Sequence, residues 1–432
     1  MRDDKVRFRG CDCQAASNSE EIMSGTRTLR RPGPALTVFS VVSVGLLTLA
    51  ACGSSGSGGG GSSGSGYTKP TSYIVGGNLC LSGPAGPNGQ HMQEGMNLAA
   101  KVLNAAGGIG GVPVKTVYED SQDDPQLGLT AAQKLIQVDH AVALTTCGSD
   151  VLQASIQVAE RQSGGAMVIN AGAQAPDLIG LSKYLINNIV NGQTEAIAMM
   201  RYLASTGHKK VCIFSATDDF GSGVLKAWQT DFSKFGGTLA CTQTISYTQS
   251  DYRSALSVAA TSHADAFVVY TYGDAIIPFM QQTRALGINT PVYSFGGVQT
   301  DDLITPKGAA TRGLIFTAPY FNLASPDPVT KQFLTAYKAS GDTTEPPNFY
   351  VIGNYEAMMI FADAEKYIQA HHLPNDGDSL SEAVHAIKTF AGIGGNITIN
   401  PDGTVQRPLS LQEVEAGSFK VLNTNLPSSL PN

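Results

Sequence analysis

Short β-rich runs alternate with amphipathic helical runs along most of the chain, in two successive series. The first series places strand-like runs at 73–79, 114–118, 141–146 and 166–170, with helical patterns between them. The rhythm restarts with a helix at 194–205 and further strands at 210–215, 239–246, 266–270 and 291–295. Strands that alternate with helices form right-handed βαβ units around a mostly parallel sheet. The sequence therefore predicts an α/β fold with two doubly wound parallel-sheet lobes.

The N-terminal region has the pattern of an export signal. Residues 36–51 are uncharged and mostly apolar, follow three arginines and end in small residues. This stretch is shorter than the ~20 residues of a spanning helix and is typical of a signal that is removed. An uncleaved membrane anchor is the alternative. Cys52 follows directly, and residues 53–66 are only glycine and serine, which predicts a flexible tether. Residues 1–51 are interpreted as an extension plus signal, and 52–70 as a cysteine with its tether.

Composition excludes several classes of function. The formal net charge is −7, and seven of the basic residues precede residue 52, so the exported body is more acidic still. An acidic body argues against nucleic acid or anionic lipid as the main partner. No cysteine or histidine spacing indicates a metal, and no cofactor is expected. No nucleophile lies near a recognisable base, which argues against an enzyme.

Four cysteines fall within the body. An exported compartment permits disulfides, and four thiols allow three pairings. The order along the chain favours Cys80–Cys147 together with Cys212–Cys241. Buried free thiols, which pack as small hydrophobic groups, are the alternative for some of them.

A ligand is expected where the predicted strands end. In open α/β sheets, ligands bind outside the carboxyl ends of the strands. Those ends fall at 80–83, 147–150, 170–174, 216–221, 271–274 and 295–300, and they are rich in small and polar residues. Ser149 lies at the start of a predicted helix, whose free N–H groups suit a carboxylate. A simple helix cap is the alternative role for Ser149.

Several segments resemble known proteins in order and spacing. The segment 81–111, LSGPAGPNGQHMQEGMNLAAKVLNAAGGIGG, resembles the N-terminal signature of the leucine/isoleucine/valine-binding proteins. EDSQDDP, TTCGSD, NAGAQAPDL, DDFGSG, RALGI and YEAMMI agree with that family in the same order, so that the likeness covers about 73–421. The sequence Leu-Ala-Ala-Cys at 49–52 resembles the bacterial lipobox, in which the cysteine is acylated; this implies lipidation at Cys52.

The resemblance implies a fold and a set of site residues. The family is of periplasmic-binding fold type I, with two lobes joined by three crossovers, placed here near 189–191, 318–321 and 392–396. Lobe 1 is then 71–189 plus 321–392, lobe 2 is 190–320 plus 393–424, and 425–432 is a tail. The implied ligand contacts are Ser82, Gly148, Ser149, Gly172, Ala173, Gln174, Phe220, Tyr270, Tyr272 and Gly296. Tyr270 and Tyr272 could equally be core aromatics.

The chain departs from the amino-acid binders at two positions. Phe220 stands where they carry a tyrosine, and Gly296 stands where they carry an acid that pairs the ligand's ammonium. A buried ammonium without a counter-charge is costly. Either Asp219, Asp274 or Asp301 substitutes, or the ligand is an amide, a hydroxy acid or an aromatic acid without an ammonium.

The role expected from the resemblance is that of a substrate-binding protein of an ABC importer. It would be a monomer, lipid-anchored to the outer face of the cytoplasmic membrane. By hinge closure it would capture a small solute, either a branched-chain or other amino acid or a related carboxylate or amide, and it would pass this solute to the permease and ATPase subunits. A stand-alone sensor that signals to a membrane kinase is the alternative, and an exported enzyme is a third.

Overall fold

The first sheet consists of five parallel strands. In the computed structural model, which describes residues 66–341 and 347–431, they lie in the order β2-β1-β3-β4-β5. Their bounds are β1 Tyr73–Leu79, β2 Val114–Asp120, β3 Ala143–Thr146, β4 Met167–Asn170 and β5 Leu185–Asn187. Every residue of β3 and β4 is buried, as expected for strands that are covered on both faces. The predicted signal, Cys52 and most of the predicted tether lie outside the described residues.

Six helices accompany this sheet. Three come from the first pass of the chain and three from a later pass, and α9 packs directly against α1. They are α1 Gly86–Ala105, α2 Pro125–Gln133, α3 Ser149–Arg161, α8 Pro328–Ser340, α9 Phe349–His371 and α10 Gly377–Ile387. None of the helices within the described ranges has both the length and the apolar character that crossing a bilayer requires.

The second sheet has seven strands in the order β14-β13-β10-β9-β8-β6-β7. Its parallel part is β6 Lys210–Ala216, β7 Thr238–Ile245, β8 Ala266–Tyr270, β9 Val292–Phe295 and β10 Ile315–Pro319, and β13 Leu409–Glu415 and β14 Ser418–Asn423 add an antiparallel pair. Its helices are α4 Gly192–Ser205, α5 Asp219–Asp231, α6 Arg253–Thr261 and α7 Ile276–Ala285. The prediction of an α/β fold with two parallel-sheet lobes is confirmed.

Three connections join the two sheets, at 188–191, 320–327 and 406–408. The first two lie beside the predicted crossovers. The third connection was predicted near 392–396, and this position is wrong. A hairpin of β11 Thr389–Gly392 and β12 Gly395–Thr398 occupies it, and this hairpin packs with the first lobe. The N–H of Ile393 donates to Glu356 of α9 at 2.7 Å, and that of Gly394 donates to Thr330 of α8 at 2.8 Å. The boundary of lobe 1 therefore moves from 392 to about 405.

A buried ion pair ties the connections together. Arg407, in the third connection, bonds the Glu356 carboxylate of α9, and their side chains are only 7% and 2% exposed. The same guanidinium donates to Asn188 Oδ1 of the first connection at 2.7 Å. Asn188 in turn donates to the Gly353 carbonyl of α9 at 3.1 Å. Two of the three connections between the lobes thus converge on one helix, α9.

One of the two predicted disulfides is present. Cys212 and Cys241 are paired neighbours on β6 and β7, with Cα atoms 4.5 Å apart. The Cys80–Cys147 disulfide is contradicted, because both residues are free, buried thiols. Cys80 Sγ lies 3.6 Å from the Ala85 carbonyl oxygen and Cys147 Sγ lies 3.5 Å from Ser121 Oγ, and the two thiols also lie within hydrogen-bonding reach of each other. They pack as small apolar groups.

A buried glutamate makes the stability of the first lobe depend on pH. Glu365 lies on α9 near Tyr73 of β1, and burial raises the pKa of its carboxyl to about 8, with partial opposition from the Tyr73 hydroxyl. In the unfolded chain this carboxyl has its ordinary pKa of 4.5. A raised folded-state pKa stabilises the native protein at low pH, and that advantage is lost as pH rises toward 8.

We expect Glu365→Gln, which does not titrate, to change this dependence. The variant should match the wild type at pH 5 and exceed its Tm by about 3 °C or more at pH 8.5, since each pKa unit corresponds to about 1.4 kcal/mol. Thermal unfolding at both pH values measures this, with the exposed Glu382→Gln on α10 as the control. Equal pH profiles for Glu365→Gln and wild type would contradict the assignment.

Candidate functional site

The carboxyl ends of the two parallel sheets enclose a small cavity. In the first sheet the strand order reverses at β1, whose neighbours are β2 and β3, and in the second it reverses at β6, between β7 and β8. Residues that follow these strands line the cavity from both lobes. The lining consists of Cys80, Ala85, Asn88, Met92, Asp123, Cys147, Gly148, Ser149, Gly172, Ala173, Gln174, Phe220, Tyr272, Phe295 and Tyr350. This is the crevice where open α/β sheets bind ligands.

The two lobes are closed on each other around this cavity. Its volume is about 30 Å³, well below the ~300–1,000 Å³ of ordinary small-molecule sites. Two hydrogen bonds cross the cleft. In its buried part, Asn88 Nδ2 donates to the Gly297 carbonyl at 3.1 Å, and at its exposed rim, Gln153 Nε2 donates to Asp219 Oδ2 at 3.0 Å. The lobes must therefore separate to admit a solute.

The start of α3 forms one polar wall. Gly148 has a φ of +46° and precedes the first helical residue, Ser149. A Cβ at position 148 would overlap the Asp123 carboxylate, so both the backbone and the space require glycine there. No side chain caps the helix, so that its first N–H groups and the positive end of its dipole are left to face an anion. Ser149 Oγ accepts from the Ala175 N–H at 3.1 Å and keeps its own proton to donate.

The loop after β4 forms the adjoining wall. Asn170 shapes it, because its Oδ1 accepts from the N–H groups of Gly172 and Ala173 at 3.0 and 2.8 Å. Gln174 Nε2 donates to Glu195 Oε1 of α4 at 2.7 Å and so fixes the loop to the second lobe. Burial raises the pKa of the Glu195 carboxyl to about 7, and the hydrogen bonds from Gln174 and Thr317 oppose that rise.

An aromatic wall comes from the second lobe. The rings of Phe220 and Phe295 stack with centroids 4.7 Å apart, and Tyr272 lies 5.7 Å from Phe220 and 5.9 Å from Phe295. Tyr272 donates to the Asp218 carboxylate, which also accepts from the Gly221 N–H at 2.7 Å and caps α5. The cavity is thus polar toward lobe 1 and aromatic toward lobe 2.

Acidic side chains surround the cleft. Burial, followed by the charges of Asp218 and Asp150, raises the pKa of Asp123 to about 7. Burial, followed by the charge of Asp219, raises the pKa of Asp150 to about 6. Burial also raises the pKa of Asp218. In the described structure no basic side chain is among the residues that line the cavity. The acids around the cavity therefore come from both lobes, Asp123 and Asp150 from lobe 1 and Asp218 from lobe 2.

Most of the predicted site residues come together here, and three do not. Gly148, Ser149, Gly172, Ala173, Gln174, Phe220 and Tyr272 all line the cavity. Ser82 is turned away, with its hydroxyl donating to Asp120 Oδ2 at 2.6 Å. Tyr270 lies behind Phe220 and accepts from Trp228 Nε1 at 2.8 Å. Gly296 faces the ring of Phe349, which a Cβ would meet at 2.9 Å.

None of the three acids predicted to replace the missing counter-charge lines the cavity. Asp219 is exposed and bonds Gln153 at 3.0 Å. Asp274 pairs with Lys307 at 2.7 Å and accepts from Thr300 at 2.6 Å. Asp301 is exposed and lies 3.4 Å from His91. Asp123 lies in the EDSQDDP segment and was not predicted as a site residue, yet among the described acids it is the one that lines the cavity.

The lining residues that were not predicted fall into two groups, according to whether a local sequence pattern indicates them. Cys80, Cys147 and Phe295 fall within the predicted strand ends, so the strand-end rule could have singled them out. Asn88 and Met92 lie on α1, and Tyr350 on α9. Helix residues that approach a strand end through packing leave no local signal, and Tyr350 is far from the rest along the chain.

Sequence comparison places these features in a known family. Residues 73–418 match the family described as periplasmic binding protein. An "Amino acid binding protein" of Pseudomonas aeruginosa is 26% identical over 297 residues, which cover 65% of this chain and 77% of that protein. Proteins named for binding leucine, isoleucine or valine in Brucella and Salmonella also match. The resemblance to leucine/isoleucine/valine-binding proteins is thereby confirmed.

Solved structures agree in fold. A leucine-binding protein of Thermotoga maritima superposes with a TM-score of 0.74 at 22% identity, covering 82% of this chain and 99% of that one. An ABC transporter solute-binding protein of R. palustris, in complex with benzoate, has a TM-score of 0.73 at 19% identity, covering 84% and 98%. Both are type I periplasmic binding folds like the one described above. The family match covers most of the sequence, and the structure has two lobes, three connections between them and a cavity at the edges of both sheets. The chain therefore belongs to the periplasmic binding protein family.

Proposed function

We propose that the protein is the lipid-anchored substrate-binding component of an ABC importer, and that it captures a small carboxylate-bearing solute by closing its lobes. The cavity carries this proposal. Both strand-order reversals meet there, and lining residues come from both lobes, so that a bound solute contacts the two at once. A ligand that binds the closed state better than the open state shifts the protein toward closure.

The start of α3 is the proposed carboxylate site. Its uncapped N–H groups lie beside Gly148 and Ser149, and Ser149 retains a proton to donate. The solutes named for relatives and neighbours, leucine and benzoate, both carry a carboxylate next to an apolar group. The aromatic wall of Phe220, Phe295 and Tyr272 would receive that apolar group.

The hinge is built to let the lobes part without unfolding. The three connections are short, and two of them are held on α9 by Arg407 and Asn188. Membrane attachment rests on sequence alone: an apolar segment, Cys52 and a Gly/Ser run occur in the order that a tethered lipoprotein needs. Delivery to a permease follows from the family resemblance.

Solute binding should be visible as stabilisation and compaction. A thermal-shift screen of the twenty amino acids, their amides, the matching hydroxy acids and benzoates should raise the Tm with at least one class, since a ligand of the native state adds about 2.7 kcal/mol at 100 times its Kd. Small-angle scattering with the best ligand should show a smaller radius of gyration than without it. A protein that none of these carboxylates and amides stabilises would contradict the proposed function.

Removing the Ser149 hydroxyl should weaken the carboxylate contact. Ser149→Ala should lower calorimetric affinity for the best ligand by about 1.5–3 kcal/mol, the range for a hydrogen bond to a charged group. Ser155→Ala is the matched control, because Ser155 is another buried hydroxyl on α3 but bonds Asn78 and the Val151 carbonyl, at 2.9 and 2.8 Å. Equal losses in both variants would indicate an effect on the helix rather than on the ligand.

Replacing Cys52 should release the protein from the membrane. In the native host, Cys52→Ser should move the protein from the membrane to the soluble fraction and abolish incorporation of labelled palmitate. Cys13→Ser, which changes a cysteine ahead of the signal, should leave both unchanged. A Cys52→Ser protein that stays in the membrane fraction would indicate an uncleaved apolar anchor instead.

A further inference from the structure

Acids from both lobes line the solvent-facing mouth of the cleft. This acidic mouth has a volume of about 490 Å³ and shares Asp123 with the small cavity. Asp123, Asp124 and Asp150 line it from lobe 1, and Asp218 lines it from lobe 2. Within the described structure, none of the residues that line the mouth is basic. Closing the lobes therefore brings like charges together without a cation of the lining between them.

Two carboxylates meet across the rim of this mouth. Asp150 lies in the first turn of α3 in lobe 1, and Asp219 is the first residue of α5 in lobe 2. Asp150 Oδ1 accepts from the Asp219 N–H at 3.3 Å, and the two carboxyl groups are also within hydrogen-bonding reach of each other. An ionised carboxylate only accepts hydrogen bonds, so these two can bond each other only when one carries a proton. Asp150 and Asp219 are called the acid pair below.

Asp123 meets the second lobe in a similar way. The charge of Asp218 repels it, and Tyr247 of lobe 2 donates to its carboxylate. The titratable groups that face Asp123 and Asp150 from other elements are Asp218, Asp219, Tyr247, Tyr272, Tyr350 and Cys80. Each of these groups is neutral or negative between pH 5.5 and 8. None of them therefore offsets the charge of the two acids.

Separation of the lobes removes the contacts that cross the mouth. Each carboxyl then regains water and loses the acids of the other lobe, so its pKa falls toward the ordinary value of 3.8. In the closed protein, burial and then the neighbouring charges raise the pKa of Asp123 to about 7 and that of Asp150 to about 6. The closed state thus binds protons more tightly than the open state, and is favoured as the pH falls through this range.

From this geometry we propose that the acid pair makes closure of the lobes proton-dependent: the lobes take up protons as they close, and closure becomes easier as the pH falls from 8 to 5.5. This inference goes beyond solute capture and rests on the closure step of the proposed function. At pH 8 the ionised acids repel each other across the mouth, so the empty protein is held open. In mild acid, Asp150 and Asp219 share a proton and hold the rim together. The acid pair lies outside the cavity lining, so it acts on closure rather than on one kind of solute.

Neutral variants of the acid pair test this on solute binding. Leucine and benzoate are the probes, because neither titrates between pH 5.5 and 8, and calorimetry measures their affinity. Asp150→Asn and Asp219→Asn each keep the oxygen acceptor and remove the charge. Each variant should bind a probe at least ~3-fold more tightly than wild type at pH 8 and within about twofold of it at pH 5.5, since the variant resembles the protonated pair. Affinities equal to wild type at both pH values would overturn the proposal.

The ligand-free protein gives a test that needs no solute. By small-angle scattering, wild type should have a smaller radius of gyration at pH 5.5 than at pH 8. The double variant Asp150→Asn/Asp219→Asn should have one equal radius at both pH values. A wild-type radius that does not change with pH would contradict proton-dependent closure. If neither probe binds, the proposed function loses support, whereas these scattering curves still decide whether protons close the lobes.

Two controls separate the acid pair from other charges. Asp363→Asn removes an exposed acid of α9 that pairs with Lys366 at 2.9 Å, and should leave affinity unchanged at both pH values. His91 lies 3.4 Å from Asp301 and is a second contact across the cleft, which is an ion pair only when the imidazole is protonated. His91→Gln should keep most of the wild-type change in radius between pH 8 and 5.5. Loss of that change in His91→Gln, with its retention in the double variant, would assign the effect to His91 and overturn the proposal. Thermal unfolding without ligand checks that every variant is folded.

Discussion

The direction of parallel strands is the constraint on which this protein depends. When strands run parallel, their carboxyl ends emerge at one edge, and a reversal of strand order leaves a gap there between adjacent loops. The chain has two such sheets, with gaps beside β1 and β6, and the hinge turns the gaps toward each other. The residues that line the cavity need not be near in sequence, because the sheets bring them to one place.

The same geometry explains why small residues occupy the critical positions. Gly148 sits where β3 gives way to α3, with the Asp123 carboxylate against it. A larger residue would displace the Asp123 carboxylate from the cavity. Gly172 is equally confined, since a Cβ there would meet Met92 Cε at 2.6 Å and the Thr146 carbonyl oxygen at 2.8 Å. The polar wall is therefore formed largely by backbone, with few side chains to contribute specificity.

The sequence could predict what local patterns encode. Alternating strands and helices predict both lobes, and the strand-end rule leads to Gly148, Ser149 and Gln174 directly. It could not predict Asn88 or Tyr350, which reach the cavity through helix packing, nor that Asp123 rather than its neighbour Asp124 turns inward. Asp124 instead caps α2 by accepting from Gln126 and Leu127 N–H groups at 2.8 and 2.9 Å. The third crossover was misplaced because the β11–β12 hairpin looks like a change of lobe, and only its contacts with α8 and α9 retain it.

The buried hinge contacts of Arg407 with Glu356 and Asn188 affect how the protein responds to ionic strength. Exposed ion pairs weaken as ionic strength rises, whereas pairs sheltered from solvent are screened much less. Because the charged side chains of Arg407 and Glu356 are almost fully buried, the hinge should bend equally easily at low and at high ionic strength. Any effect of ionic strength on solute binding would then arise at the acidic mouth of the cleft, which dissolved ions can reach, while the movement of the lobes about the hinge stays constant.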